Sequence, residues 1–492
     1  MKNKKTYWKN VEQIDNKSTL IKDIENKEFA NQLPVDSILL NKEGLEAENT
    51  NRRDFLKYVG FSTTAAALAA CEGPVIKSVP YVVQPEQIRP GISNYYATAI
   101  ADGFDFASIL VKTREGRPIK IESNKEAPDY GSANARVHAS VLSMYDTKRI
   151  QLPKINGKDS SWDELKSEVL LDLDAASKKQ GKVVLLTQTY ASPTTNQIIK
   201  DFVIKFPNIE HVILDTVPSN YAVESFKDSY GFKGLVDYDF SKSDFIVSVD
   251  ADFLGDWQGG GYDSKYVSNR VPDKKTGNGK MSKHVQFEAN MTLTGANADV
   301  RVPATPTEQK KILSYIYSSV KGLSNKVKLS PEHKKSANFV ADGIKKFGSK
   351  AVIVSGLDDK NAQDLILDLN NHIKSQAVDN SARLTRTQSG NEVDVFLKEL
   401  LDGKISGLIT VGVNPIYSLP EGEKIRQAVK NLDFSLSFSM KEDETSSVCK
   451  YIAALPHYLE SWGDYEFKEG HYFLAQPTIR PLFNTMQFQD FV

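Results

Sequence analysis

Short apolar runs separated by helix-length amphipathic stretches constrain the fold of this chain more than any other feature. Residues 182–187, 211–215, 244–250 and 281–289 read as strands, with helices over 162–173 and 196–206. Runs that are apolar throughout must be covered on both faces, which predicts a mainly parallel sheet between helical layers. The rhythm returns after a helical, Lys-rich connector from 309 to 348. Strands then fall at 350–355, 407–411 and 434–439, with a helix over 361–373.

Ahead of these units the pattern changes. Residues 107–113 and 118–122 are β-rich and flank Arg114-Glu115-Gly116-Arg117, which predicts a hairpin with glycine at the reversal. A short helix over 137–145 closes this module. Residues 72–90 form an extended linker, since Pro74, Pro80, Pro85 and Pro90 block regular structure. Residues 1–50 are polar, although Trp8, Val11, Ile14, Leu20, Ile21, Ile24 and Phe29 recur at roughly helical spacing. A disordered tail and a docking helix explain them equally well.

The segment between them reads as an address. Arg52, Arg53, Phe55, Leu56 and Lys57 precede an apolar run over 58–70 and then Cys71, the order of a twin-arginine export signal. The run is too short and too rich in Ala, Thr and Gly to span a membrane. Leu68-Ala69-Ala70-Cys71 has the shape of a lipoprotein cleavage and lipidation site. The expected division is a leader at 1–71, a linker and β-rich module at 72–150, a first α/β domain at 151–310, and a connector with a second α/β domain at 311–492. The apolar stretch at Phe488, Phe491 and Val492 reads as a cut through a domain.

A net charge of −1 argues against nucleic acid as the main partner, because that needs a basic face. Cys71 and Cys449 are the only cysteines, too few for an iron–sulfur cluster held by four thiolates. Cys449 reads as a small buried hydrophobe in an apolar strand. His138, His211, His284, His333, His372, His457 and His471 are scattered without metal-ligand spacing. Strand exits are the usual ligand sites of α/β sheets. They carry Gln188, Thr189 and Ser192; Asp250, Asp252, Gly255 and Gly259-Gly260-Gly261; and Gly412-Val413-Asn414-Pro415. Such loops can present N–H groups to a phosphate, and tight turns that need glycine account for them at least as well. The acids Asp250 and Asp252 suit turn caps better than acid–base work. No GxGxxG, phosphate loop, GxSxG elbow or Ser-His-Asp order is present.

The plan of a small β-rich module followed by two α/β units resembles the molybdopterin-dependent oxidoreductases. Residues 109–122 look like the hairpin beside that family's N-terminal cluster cysteines, and 140–146 with Arg149 look like the segment after the last of them. Gly412–Pro415 resembles a turn of the third domain. Ala454-Leu455-Pro456, Glu460 and Gly463 match a Leu-Pro…Glu…Gly pattern near the cofactor. The resemblance implies an α/β fold in which the module precedes two Rossmann-like parallel-sheet domains. The departures are specific: no cysteine around 104–108 or 132–136, an altered Gly-Thr at Trp462-Gly463-Asp464, and no Ser or Cys placed to ligate molybdenum. No catalytic, cofactor-binding or metal residue is therefore expected in this segment.

The chain is more closely similar to the large iron–sulfur protein of alternative complex III, in its N-terminal, cofactor-free part. The residues concerned are Tyr7-Trp8-Lys9, Phe29 and Leu33-Pro34 far upstream of Arg52-Arg53, then Pro80-Tyr81-Val82, Pro85-Glu86, Pro90-Gly91, Tyr96-Ala97-Thr98, 250–255 and 293–299. This resemblance implies a structural domain without molybdopterin, in a respiratory complex that oxidises menaquinol. It further implies iron–sulfur clusters in a ferredoxin-like region beyond this segment. The implied partners are integral membrane quinol-oxidising subunits, multihaem cytochrome c subunits and a terminal oxidase, at the periplasmic face of the bacterial inner membrane. Two other readings remain at this point: an active molybdopterin oxidoreductase of the polysulfide or thiosulfate reductase type, and a lipid-anchored, two-lobed ligand-binding protein.

Overall fold

The computed structural model describes residues 91–492 apart from 128, 179–180, 273–278 and 280. Arg52, Arg53, Phe55, Leu56, Lys57, Cys71 and the linker up to residue 90 lie outside the described residues.

Strands β1 (Ser93–Ala101), β2 (Phe106–Arg114) and β3 (Arg117–Ser123) form an antiparallel sheet in that order. Glu115 and Gly116 both have positive φ (52° and 78°), the two-residue reversal that matches the twist of a hairpin. Ile109, Val111 and Ile121 alternate onto one face and pack on Val137, Val141 and Met144 of the Ala135–Met144 helix. Asn134 caps that helix by accepting from the Val137 N–H at 2.9 Å.

Next come β4 (Lys154–Ile155), β5 (Lys158–Asp159), β6 (Val183–Thr187) and β7 (Ile209–Ile213). After β8 (Leu235–Tyr238), the chain builds β9 (Phe245–Val249), β10 (Lys283–Glu288), β11 (Val300–Pro303) and β12 (Ala351–Ser355). It continues through β13 (Val378–Arg383), β14 (Gly407–Val411), β15 (Phe434–Ser439) and β16 (Tyr451–Ala454) to the hairpin β17 (Gly463–Lys468) and β18 (His471–Ala475).

Two parallel-stranded layers result. One sheet has the order β5-β4-β16-β15-β14-β6-β7, parallel from β16 to β7 with β4 and β5 antiparallel at its edge, and the other is β11-β10-β9-β12; an antiparallel sheet, β18-β17-β13-β8, holds the hairpin. The two parallel layers are interleaved along the chain. Strands β6 and β7 share a sheet with β14–β16, and β12 pairs with β9. The expected boundary at 310 therefore divides strands that share a sheet. Local pattern marks a buried strand, whereas its partner is chosen by long-range packing of faces that look alike in sequence.

The stretch expected as a connector is a structural layer instead. The Pro306–Lys321 helix opens on a capping box between Thr305 and Glu308, and buries Ile312, Leu313 and Ile316. The Pro331–Phe347 helix adds Ala337, Val340 and Ile344 to the same core beneath β9, β10 and β12.

Candidate functional site

An open parallel sheet binds ligands where the strand order reverses, at the carboxyl ends of the strands. The seven-stranded sheet reverses between β6 and β14, because β7 is laid down on one side and β15 and β16 on the other. A cleft of about 480 Å³ lies there, lined by Gln188, Ser192, Gly412, Asn414, Pro456 and Asp464 among others. The smaller sheet reverses between β9 and β12. Its cleft, about 210 Å³, is lined by Asp250, Asp252, Asp256 and Asp358. Of the strand-exit residues, Gln188, Ser192 and Gly412-Val413-Asn414 line the first cleft and Asp250 and Asp252 the second, whereas Thr189, Pro415, Gly255 and Gly259-Gly260-Gly261 line neither.

What those residues do there differs from the phosphate cradle they resemble. In the larger cleft, Ser192 caps the Pro193–Lys205 helix. Thr189 is turned inward, donating from its N–H and hydroxyl to the buried Asp215 carboxylate, both at 2.8 Å. Burial holds that carboxyl above the usual aspartate range, against the opposing pull of Arg386 and these hydrogen bonds. Asn414 accepts from the Thr445 hydroxyl at 2.7 Å and donates to Glu444, fixing the loop after β14. The cleft's charged lining is Asp102, Asp443, Asp464 and Lys441, and Lys441 is paired with Asp146.

In the second cleft, Asp252 accepts from the Thr294 N–H at 3.0 Å and its hydroxyl at 2.6 Å. Burial keeps the Asp250 carboxyl above the usual range, and Glu288 adds to this, against a hydrogen bond from Gln309. Asp252 thus holds the start of the short Leu293–Ala296 helix, and Asp250, in the turn after β9, accepts from the Gln309 side chain. The glycine run bends at positive φ through Gly259, Gly260 and Gly261 (84°, 74° and 86°). It wraps a cation: the buried Arg383 guanidinium donates to the Gly260 carbonyl and lies over the rings of Tyr262 and Tyr130, at 4.2 and 4.9 Å from their centroids. A carbonyl facing a guanidinium is the opposite polarity to N–H groups facing a phosphate.

The two N-terminal segments without cysteines do meet in space. Asp105 accepts from Asn134 Nδ2 at 2.6 Å and from Arg136 Nε and Nη2 at 2.9 and 2.7 Å, and Arg136 also reaches Asp256. Glu460, part of the Leu-Pro…Glu…Gly pattern, is fully buried against Arg149, with Nη1–Oε1 at 3.0 Å and Nη2–Oε2 at 2.6 Å. Burial would raise this carboxyl, but the guanidinium and the N–H groups of His457 and Leu482 outweigh it and hold it below the usual range. Asp105, Arg136 and Arg383 had no signal in the sequence, because their partners lie tens to hundreds of residues away. Cys449 is buried, as expected, but just ahead of β16 rather than within it; burial lifts its thiol to about 12. Among the described residues, no group of three or more His, Cys, Asp or Glu side chains is placed to hold a metal ion.

No family model matches the chain. It is 22% identical to the menaquinone reductase, molybdopterin-binding-like subunit of Nitratidesulfovibrio vulgaris, over 89% of this chain and 71% of that one. Its fold is similar to that of acetylene hydratase from Pelobacter acetylenicus, with a TM-score of 0.64 and 12% identity, covering 80% of this chain and 68% of that one. The fold is thus that of the molybdopterin oxidoreductases. The residues present do not fit the groups this fold implies. A pterin dinucleotide carries a pyrophosphate, yet the second cleft is lined by four aspartates and no Lys or Arg, and the first by three aspartates and a lysine already in an ion pair. An iron–sulfur cluster needs thiolates, and the two segments that would supply them are joined by the Asp105–Arg136 pair. In sequence, then, the chain is similar to a molybdopterin-binding-like subunit, and in architecture it has the molybdopterin oxidoreductase fold.

Proposed function

We propose that residues 91–492 are a cofactor-free structural domain of a respiratory, menaquinol-oxidising electron-transfer complex of the alternative complex III kind. The observation that carries this reading is the acidic lining of both clefts, in which Asp464 and Asp252 are engaged by the chain's own helix ends. The menaquinone reductase subunit it resembles supports the link to quinones. On this reading the twin-arginine segment exports the folded chain. Partner subunits, with a lipid on Cys71, then hold it at the periplasmic face of the inner membrane. Electrons from menaquinol pass through iron–sulfur clusters outside residues 91–492 to multihaem cytochrome c subunits and a terminal oxidase. This domain supplies docking surface.

The test is elemental and pterin analysis of the full-length protein extracted from membranes, together with its native assembly. The expected result is molybdenum and tungsten at background, no pterin fluorescence after oxidation, and co-purifying haem-bearing and integral membrane subunits. Stoichiometric molybdenum with a pterin would overturn the proposal, and so would a monomer that turns over substrate alone.

A further inference from the structure

The N-terminus of the Pro193–Lys205 helix faces the larger switch-point cleft, where backbone N–H groups and the helix dipole favour an anion. All of its first-turn donors are already used. Pro193 has no N–H, Thr195 N donates to Ser192 Oγ at 3.1 Å, and Asn196 N donates to Ser192 O at 3.0 Å. The remaining donor, Thr194 N, is 3.2 Å from Asp464 Oδ2. The same carboxylate takes the Thr194 hydroxyl at 2.8 Å and, through Oδ1, the Ser192 hydroxyl at 2.8 Å. Asp464 comes from β17, some 270 residues further along the chain. Across the cleft, Gly412 at the end of β14 has positive φ (64°), and a Cβ there would meet nothing within 4 Å. That side is left open, while the helix side is filled.

We infer that Asp464 is an intramolecular anion standing where a ligand phosphate would sit, and that it is the residue by which this cleft rejects anionic nucleotides. The inference deepens the scaffold reading and rests on it. The carboxylate satisfies the helix end and ties the β17–β18 hairpin to the seven-stranded sheet. Its charge, set at the helix end itself, repels a pyrophosphate there.

The test uses the full-length protein and inorganic pyrophosphate, with sodium chloride at matched ionic strength as control. The expected result is that pyrophosphate leaves the melting temperature of the wild type unchanged. In Asp464→Ala, which melts lower, it gives a saturable rise of about 2 °C or more. Asp464→Asn keeps an acceptor for the helix end while losing the charge, and should fall between them. If Asp464→Ala does not fold, the asparagine variant carries the comparison. A wild type that responds as strongly as the variants would overturn the inference, and so would natively folded variants that do not respond. Molybdenum in the wild type would instead remove the scaffold reading, so the two failures are distinguishable.

Discussion

The Arg149–Glu460 pair offers the sharpest test of how this fold is held together. Both side chains are fully buried, and they join the segment after the Ala135–Met144 helix to the loop before β17, 311 residues away. Arg149→Ala removes two charge-assisted hydrogen bonds to Glu460 and one to the Met144 carbonyl, and takes a cation from over the Phe483 ring. Each charged bond is worth roughly 1.5–3 kcal/mol, and stranding one partner of a buried pair costs about 3–5 kcal/mol. The loss is expected in that upper range, because Glu460 keeps only the His457 and Leu482 N–H groups as donors. Arg149→Met with Glu460→Gln should recover more than half of it, since the stranded charge is gone. The pH dependence gives an independent sign. In the wild type the Glu460 carboxyl is held below the usual 4.5, so the stability it contributes is present above that value and lost as pH falls through the folded value. In Arg149→Ala the same carboxyl, buried without its cation, takes a proton at higher pH, and the penalty should shrink on acidification. The assay is urea unfolding followed by tryptophan fluorescence at pH 7.5 and pH 5. A loss below about 1 kcal/mol at pH 7.5 would refute the reasoning, as would a double variant no better than Arg149→Ala.

Three further outcomes are expected. Arg136→Ala should cost about 1 kcal/mol, discounted because Arg136 is half exposed; it should raise amide exchange selectively over 102–108 and 132–136, and uniform exchange would count against the pair as a local staple. Burial lowers His284 and His457 to about 4, below the ordinary 6.5, so the unfolded chain binds more protons between these values. Stability should then fall on acidification through that window by about 1.4 kcal/mol per pH unit for each histidine, and a flat melting profile from pH 7 to pH 5 would contradict it. Cys449, with its thiol at about 12, should resist iodoacetamide at pH 8 in the folded protein and react once urea unfolds it, read by peptide mapping that separates it from Cys71; rapid labelling of Cys449 in the native form would show that the thiol is not sealed.

The strands at 182–187, 244–250, 350–355, 407–411 and 434–439 were legible because an apolar run of that length has few other ways to be buried. The strand exits were legible as candidate sites for the same reason, since a parallel sheet opens at its carboxyl edge. The strands β8, β13, β17 and β18 were not. They form an antiparallel sheet whose register is irregular at Asp379/Arg383 and at Glu466/Lys468, so they carry no clean alternation to read. The site chemistry was less visible still. The glycine run at 259–261 signals freedom of the backbone, and nothing local says whether the resulting cradle presents N–H groups or a carbonyl.

By itself, the sequence determined the class of fold, the positions of most buried strands and helices, and the scarcity of thiols. Each of these follows from local pattern or from composition. Tertiary structure alone decided which strands share a sheet and that Asp464 fills the helix end beside the larger cleft. It also decided that Asp105–Arg136 joins two segments of the N-terminal module, and that Arg136–Asp256 and Arg149–Glu460 tie that module to the rest. These are contacts between residues tens to hundreds of positions apart, made by charges that elsewhere on a chain would simply face water, and only packing brings each to the one partner that makes its burial tolerable.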